Sequence, residues 1–318
     1  MIHNVILGID TSNYTTALAL VDFDGKLVYQ GRQVLDVKKG NRGLRQSEAL
    51  FQHVVNLPVL MQKMRPQSGD YQIKGIAVSA KPRPVKNSYM PVFRAGIGLA
   101  ESLACTLNVP LFYSTHQEGH IRAALYGAQL KPSDLPTAFL ATHFSGGTSE
   151  LLAVKPHQKG YACDILGKTL DLNAGQLVDR IGVALGCSFP AGKALEGLAE
   201  QATLKNCVIP SSVSGMDFHF SGQEANAKQW IQKGVSKEEI AFGLLKSIAK
   251  TLSKIIQQAA KETALADVLF SGGVMSNQII RQMLEKKFDG VPIRLHFTAP
   301  EYATDNAVGI AYIGLEQR

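Results

Sequence analysis

The chain has 318 residues, of which 45% are hydrophobic and 19% charged, and its formal net charge is +7. It contains no run of about 18 apolar residues, which excludes a membrane-spanning helix. The four cysteines are scattered without a Cys-x-x-Cys pair. That pattern argues against a disulfide framework and a thiolate zinc site, and it favours a reducing compartment, the cytoplasm. The opening stretch, MIHNVILGID, is typical of a β-strand and not of a signal peptide.

Positive charge is concentrated between Lys26 and Arg94, where thirteen Lys and Arg face three Asp and Glu. The segment therefore carries +10, whereas the rest of the chain sums to −3. A basic surface confined to one part of one lobe indicates a polyanionic partner. The alternative is a solvated surface with no partner.

Two stretches share one plan, in which an apolar strand, a small polar turn and a second apolar strand follow one another. They are VILGIDTSNYTTALALVD (Val5–Asp22) and TAFLATHFSGGTSELLAV (Thr137–Val154). Because one lies early in each half, they predict a duplicated α/β fold with two similar lobes. Backbone N–H groups in Gly/Ser-rich turns can cradle anions. We therefore expect a phosphate to bind between the lobes.

The remaining periodic segments predict helices and strands in alternation. In the first half they are a helix over Ser47–Met64, a strand over Ile73–Ala80 and a helix from Phe93; in the second half they are helices over Gly175–Gly186 and Ser236–Ala264, a strand over Asp267–Gly273, the helix SNQIIRQMLEKKF and a closing helix after Asp305 and Asn306. Ser236 and Glu239 match a capping box. The strand, Gly-Gly, helix order after Asp267 places backbone donors at a helix N-terminus, where a phosphate or sugar can sit.

The stretch STHQEGHIRAAL contains two histidines one helical turn apart. Thr115 and Glu118 match a capping box and predict a helix start. On that helix His116 and His120 point the same way and can hold one metal ion. Glu118 lies about 200° around the helix from His116 and faces the other side. The alternative is a pair of solvated or packing histidines, since a third ligand has to come from elsewhere.

Seven motifs follow one another in an order that is informative as a set. They are the histidine pair, the Ser145–Gly147 turn, AGQLVD with Gly175 and Asp179, FPAGK with Gly192, DFHFSG at Asp217–Gly222, GGVMSN at Gly272–Asn277, and Thr304–Asn306. Together with GIDTS near the start, they resemble the TsaD family of tRNA threonylcarbamoyl transferases, once called glycoproteases, over nearly the whole chain.

This resemblance implies a two-lobed actin-like ATPase (ASKHA) fold of the α/β class, with duplicated βββαβα-type lobes. The first lobe is expected over residues 1–113 and the second over 114–304. The C-terminal helix, about residues 305–318, is expected to pack back on the first lobe.

The resemblance also implies ligands. His116, His120 and Asp305 are expected to hold one divalent metal, iron or zinc. An adenylate substrate, or ATP with Mg, is expected to contact a set of residues in the second half: His143, Phe144, Ser145, Gly146, Gly147, Asp179, Gly192, Gly272, Gly273 and Asn277. Asp179 would accept from ribose hydroxyls, unless it is a surface carboxylate paired with Arg180 or nearby cations. Asn277 would orient the nucleotide, unless it is a helix cap.

The implied reaction moves a threonylcarbamoyl group from its AMP anhydride to the exocyclic amine of the adenosine beside the tRNA anticodon, with the metal as Lewis acid. Accessory proteins of that pathway are expected as partners, and a membrane is not. Basic residues of the first lobe are expected to contact tRNA phosphates: Lys38, Lys39, Arg42, Arg45, Lys81, Arg83 and Lys86. The two prolines of KPRPVK would hold Lys81, Arg83 and Lys86 outward.

Four positions depart from the family pattern. This chain has TSNYTT where the family has TSCDET, and AKPRPVK where the family has the GPG loop. It has SGGTS in place of SGGHT, and Gln223–Ala225 in place of the lysine after FSG. The departures favour a second interpretation, a catalytically altered paralogue that binds nucleotide and metal as a partner or regulator. A metalloprotease is a third, but Gln117 stands where a glutamate base would be needed. A sugar or acetate kinase of this superfold would not need the histidine pair.

Overall fold

The computed structural model describes residues 3–12, 14–37, 44–64, 71–136, 138–157 and 160–318. The strands in these ranges are β1 (His3–Ser12), β2 (Thr15–Asp22), β3 (Leu27–Val34), β4 (Tyr71–Lys81), β5 (Leu111–Thr115), β6 (Phe139–Phe144), β7 (Ser149–His157), β8 (Gly160–Lys168), β9 (Ser212–Ser214), β10 (Asp217–His219), β11 (Asp267–Ser271) and β12 (Arg294–Phe297). The helices are α1 (Gln46–Met64), α2 (Phe93–Leu107), α3 (His116–Gly127), α4 (Ala174–Ala184), α5 (Gly192–Glu200), α6 (Ser221–Gln232), α7 (Lys237–Thr263), α8 (Gln278–Phe288) and α9 (Val308–Glu316).

Two five-stranded sheets repeat one topology. The first has the order β3-β2-β1-β4-β5, in which β1, β2 and β3 are antiparallel neighbours and β4 and β5 run parallel to β1. The second has the order β8-β7-β6-β11-β12, with β6 antiparallel to β7 and parallel to β11. Both predicted hairpins are therefore confirmed, and each supplies the central strand of its sheet. The duplicated α/β plan is confirmed as well.

The chain divides into two units. The first contains residues 1–130, 156–162 and 304–318, and the second contains residues 131–155 and 163–303. The first unit thus runs past residue 113, the boundary expected from the sequence, because it includes α3. It also includes α9, whose Ile310 packs with Ile6 of β1 and Ala77 of β4.

Close backbone contact seats α9 in the first unit. A Cβ atom on Gly309 of α9 would overlap the carbonyl oxygen of Gly119 on α3, and one on Gly8 of β1 would lie 2.6 Å from Ala307 O and Ala311 N. Only glycine permits such an approach. The consequence is that the residues just before α9 lie beside the start of α3.

The predicted helix starts are largely confirmed. Thr115 caps α3 and Ser236 caps α7, each accepting a hydrogen bond from the amide three residues on. The predicted second half of the Ser236 box is wrong, because the Glu239 carboxylate accepts from Leu204 N and Asn206 N instead. Glu239 therefore anchors a loop and does not cap its own helix.

Within the described residues, no helix has the length and apolar character needed to cross a membrane.

Candidate metal centre and anion-binding turns

The N-terminus of α3 is held by a reciprocal capping box. Thr115 Oγ1 accepts from Glu118 N, while Glu118 Oε2 accepts from Thr115 N at 2.9 Å. The other carboxylate oxygen, Oε1, accepts from Tyr161 N at 3.0 Å. Both oxygens of this buried side chain thus accept backbone hydrogen bonds. The carboxylate faces away from His116, as the helix geometry predicts.

Three potential ligands converge at this helix start. The Nε2 atoms of His116 and His120 are 2.9 Å apart. Asp305 Oδ1 lies 3.2 Å from His120 Nε2 and 3.7 Å from His116 Nε2. Among the His, Cys, Asp and Glu residues in the described part of the chain, these three form a group whose ligand atoms are close enough to share one ion.

The three separations suit a common ion. Ligand atoms at the usual zinc distances of about 2.0–2.2 Å are about 3.0 Å apart in octahedral and about 3.4 Å apart in tetrahedral coordination. The donor set, two imidazoles and one carboxylate, suits zinc or a ferrous ion with open positions. The residues therefore fit the metal that the resemblance implies.

Asp10 also contacts this group, and the sequence interpretation did not include it. Its side chain at the end of β1 is buried, and Oδ2 lies 2.9 Å from His116 Nδ1. Because a carboxylate oxygen can only accept, Nδ1 must donate. Burial alone would lower the pKa of His116, but the charges of Asp10 and Asp305 outweigh it and raise that pKa to about 9.

The segment carrying Asp305 is tied down on both sides. Asn306 Oδ1 accepts from Val308 N at 2.9 Å, at the start of α9. Arg32 on β3 donates from Nη1 to Thr304 Oγ1 at 2.6 Å. One local contact and one contact from β3 thus hold the two residues that flank Asp305.

The turn between β6 and β7 in the second unit is small and open. Gly146 and Gly147 are exposed, and Cβ atoms added there would meet nothing within 4 Å. Ser145 Oγ accepts from Gly147 N and Thr148 N. Gly146 N has no hydrogen-bond partner among the described residues. Of the turn amides, that of Gly146 is the one available to an anion.

Two other glycines pack against this turn. A Cβ on Gly175, at the start of α4, would lie 2.5 Å from Gly146 N, and Gly175 N donates to Ser145 O. Gly272 adopts a positive φ of 92°, and a Cβ there would overlap the Phe144 carbonyl. Three glycine-containing motifs that are far apart in sequence therefore meet at one place in the second unit.

The other predicted nucleotide contacts differ in their surroundings. Phe144 is wholly buried and its ring stacks on Phe218, so only its backbone could face a ligand. His143 is half-buried, with Nδ1 3.4 Å from Ser271 Oγ. Asp179 Oδ1 accepts from Ala191 N, the residue before Gly192. Burial raises the pKa of Asp179 and the Ala191 N–H partly offsets this.

Two of the backbone donors at the N-terminus of α8 are already hydrogen-bonded. Asn277 Oδ1 caps the helix by accepting from Ile280 N at 3.0 Å, and Glu196 Oε1 accepts from Gln278 N. Gly272 instead precedes a separate 3-10 turn, Gly273–Ser276, and Gly273 begins it. Asn277 is therefore a helix cap, as the alternative interpretation held. Asp179 is not paired with Arg180, whose guanidinium binds Glu224.

The basic residues of the first unit are only partly described, since Lys38, Lys39 and Arg42 lie outside the described residues. Arg45 and Lys86 are exposed. Lys81 is half-buried, and its ammonium donates to Val85 O at 3.3 Å in exposed surroundings, so its predicted contact with a phosphate stays a prediction. Pro82 O accepts from Gln117 N, which places this loop against the start of α3.

Comparison with known proteins identifies the family of this chain. The family model described as TsaD: tRNA N6-adenosine threonylcarbamoyltransferase matches residues 35–312. The tRNA N6-adenosine threonylcarbamoyltransferase of Thermus thermophilus is 31% identical over 313 residues, 96% of this chain and 90% of the relative. That of Archaeoglobus fulgidus is 28% identical over 98% of this chain and 90% of the relative.

Solved structures share the fold at low identity. T. kodakarensis HypF superposes with a TM-score of 0.60 and 16% identity over 99% of this chain, which spans about half (47%) of HypF. Component A of the Acidaminococcus fermentans (R)-2-hydroxyglutaryl-CoA dehydratase superposes with a TM-score of 0.53 and 14% sequence identity. The match covers all of this chain and 99% of component A. The fold is that of the actin-like ATPases, and the chain belongs to the family of tRNA N6-adenosine threonylcarbamoyltransferases.

Proposed function

We propose that this protein transfers a threonylcarbamoyl group from its AMP anhydride to the exocyclic amine of the adenosine next to the tRNA anticodon. The observation that carries the proposal is the convergence of His116, His120 and Asp305 in a chain that matches the family model over residues 35–312. In the reaction a C–N bond forms, the C–O bond to phosphate breaks, AMP leaves and the amine loses a proton.

The substrate is already activated, so the chain has to bind and orient more than it has to attack. A divalent metal held by His116, His120 and Asp305 would supply Lewis acidity. The second unit would hold the adenylate, with Gly146 N donating to phosphate and Asp179 accepting from ribose hydroxyls. Support for this comes from the glycines that meet at the β6–β7 turn.

A transfer assay tests the proposal. Purified protein, the threonylcarbamoyl adenylate and an unmodified tRNA transcript are combined, with and without the accessory proteins of the pathway, and the modified nucleoside is measured by mass spectrometry. We expect product with wild type, almost none with His116→Ala, and normal amounts with Gln117→Ala, its neighbour on α3. Absence of product under every condition would contradict the proposal.

A second candidate function is a paralogue that binds metal and nucleotide without transfer. The observation in its favour is that Tyr14 and Thr15 stand where the family pattern has an acidic pair, with a basic loop at Lys81–Lys86. If this second candidate is right, the protein binds zinc and AMP normally but yields no product in the transfer assay. A metalloprotease is disfavoured because the carboxylate of Glu118 is committed to the capping box and to Tyr161 N.

We also propose that the basic surface of the first unit contacts tRNA phosphates. Exposed Arg45 and Lys86 support this, and the other basic residues of the same proposal are Lys38, Lys39, Arg42, Lys81 and Arg83. Charge reversal at Lys38, Lys39 and Arg42 should weaken tRNA binding and lower the log–log salt slope by roughly 0.7–0.9 for each phosphate that is no longer neutralised. Lys261→Glu, at the end of α7, is the control. An unchanged slope would favour an acidic protein partner.

Accessory proteins of the pathway remain part of the proposal. The described surface that suits such contact is on α1, where four exposed apolar side chains lie along one helix: Phe51, Val54, Val55 and Val59. Contiguous apolar surface of this kind is typical of protein interfaces. Phe51→Glu should reduce co-purification of an accessory protein without changing thermal stability, whereas unchanged co-purification would exclude this face.

A further inference from the structure

The carboxylate of Asp10 has no place in the ligand set, yet it is one of the most deeply buried charges of the first unit, with 1% of its surface exposed. A buried carboxylate is costly unless its oxygens are hydrogen-bonded. Here Oδ1 accepts from Ser12 N at 2.7 Å and Oδ2 accepts from His116 Nδ1 at 2.9 Å. Both oxygens are therefore hydrogen-bonded within the protein, and Asp10 is not in the group that could share an ion.

The contact with Nδ1 determines what the other ring nitrogen can do. When Nδ1 carries the proton, Nε2 of a neutral imidazole has a lone pair. That Nε2 is the atom 2.9 Å from His120 Nε2 and 3.7 Å from Asp305 Oδ1. Asp10 thus directs the lone pair of His116 toward the other two ligands.

We propose that Asp10 is a positioning residue of the metal centre, which fixes the ring orientation and the Nδ1–H tautomer of His116 so that Nε2 binds the ion. The inference rests on the proposed metal site but not on the transfer activity. Partners of this type in other proteins change metal affinity by about 10–100-fold when they are removed.

Asp22 offers a matched control in the same unit. It is also a buried aspartate on the β1–β2 hairpin, and its Oδ1 accepts backbone hydrogen bonds from Asp24 N and Lys26 N. Like Asp10, it accepts backbone hydrogen bonds, but among the described residues these bonds involve none of the candidate metal ligands. Asp22→Asn should lower stability and leave metal affinity unchanged.

The experiment measures zinc affinity of the full chain by competition with a chromophoric chelator. We expect Asp10→Ala to bind zinc about 10–100-fold more weakly than wild type, with Asp10→Asn also weakened and Asp22→Asn equal to wild type. Wild-type affinity in folded Asp10→Ala and Asp10→Asn would overturn the proposal. Failure of wild type to bind zinc would overturn both this proposal and the metal site.

A second measurement needs no variant at position 10. In zinc-bound wild type, NMR of ¹⁵N-labelled histidine should show His116 with a protected Nδ1–H and a coordinated Nε2, assigned from its loss in His116→Ala. Coordination through Nδ1, with the proton on Nε2, would overturn the proposal even where every Asp10 variant fails to fold.

Discussion

The two central hairpins have the same place in their sheets and opposite chemistry at their tips. The β1–β2 hairpin ends in buried side chains, with Asp10 bonded to His116 and Thr16 bonded to His53. The β6–β7 hairpin ends in exposed Gly146 and Gly147. The first tip places a buried carboxylate beside the candidate metal ligand His116, and the second offers backbone N–H, which suits an anion. A repeated backbone plan therefore leaves ligand chemistry to a few residues at each turn.

The largest effect is expected from removing two of the three ligands. His116→Ala combined with Asp305→Ala should lower metal content from one ion per chain to background, a loss of affinity above about 10³-fold, since each ligand contributes more than an outer partner. Elemental analysis after dialysis measures it, with circular dichroism to show that the protein is folded. His219→Ala is the control. Unchanged metal content in the double variant would show that His116 and Asp305 do not bind the ion.

Acid should destabilise the first hairpin through His53. Burial lowers the pKa of His53 to about 4, although the charge of Asp10 opposes the shift, and its Nε2 has no partner among the described residues. The folded state thus binds fewer protons than the unfolded state, so this contribution is full above pH 6.5. It is lost as the pH falls through 4 and amounts to about 3 kcal/mol.

His53→Asn tests the pH effect because its amide can still reach Thr16. The free energy of unfolding, from urea titrations in chelator, should depend less steeply on pH in the variant between 6.5 and 4. Parallel curves for the two proteins would show that His53 does not titrate in this way.

Close packing at Gly309 should affect both the stability of the fold and the affinity for zinc. Gly309→Ala places a methyl group against the Gly119 carbonyl, which should cost about 1–3 kcal/mol and shift α9 with Asp305. Thermal unfolding and zinc titration measure the two effects. Gly98→Ala on α2, where a Cβ meets nothing within 4 Å, should instead stabilise by up to about 1 kcal/mol. Equal behaviour of the two variants would contradict this role for α9.

The smallest effect is expected at the second hairpin. Gly146→Val should weaken AMP binding at least about tenfold, or 1.4 kcal/mol, by blocking approach to Gly146 N. Stability should hardly change, because a Cβ there meets nothing within 4 Å. Calorimetric titration compares it with Gly197→Val on α5, which is similarly open. Normal AMP binding by Gly146→Val would mean that the turn is not an anion site.

The sequence by itself determined the local features of this protein. The hairpins, the helix start at Thr115 and the shared face of His116 and His120 follow from spacing of 2 or 3.6 residues and from capping chemistry, and the order of motifs identified the family. Tertiary structure alone decided which distant groups meet. Asp10 lies 106 residues before His116, and no periodic signal links a strand end to a helix start. Such contacts depend on how closely two backbones approach, and in the first unit a glycine contact between α3 and α9 sets that distance.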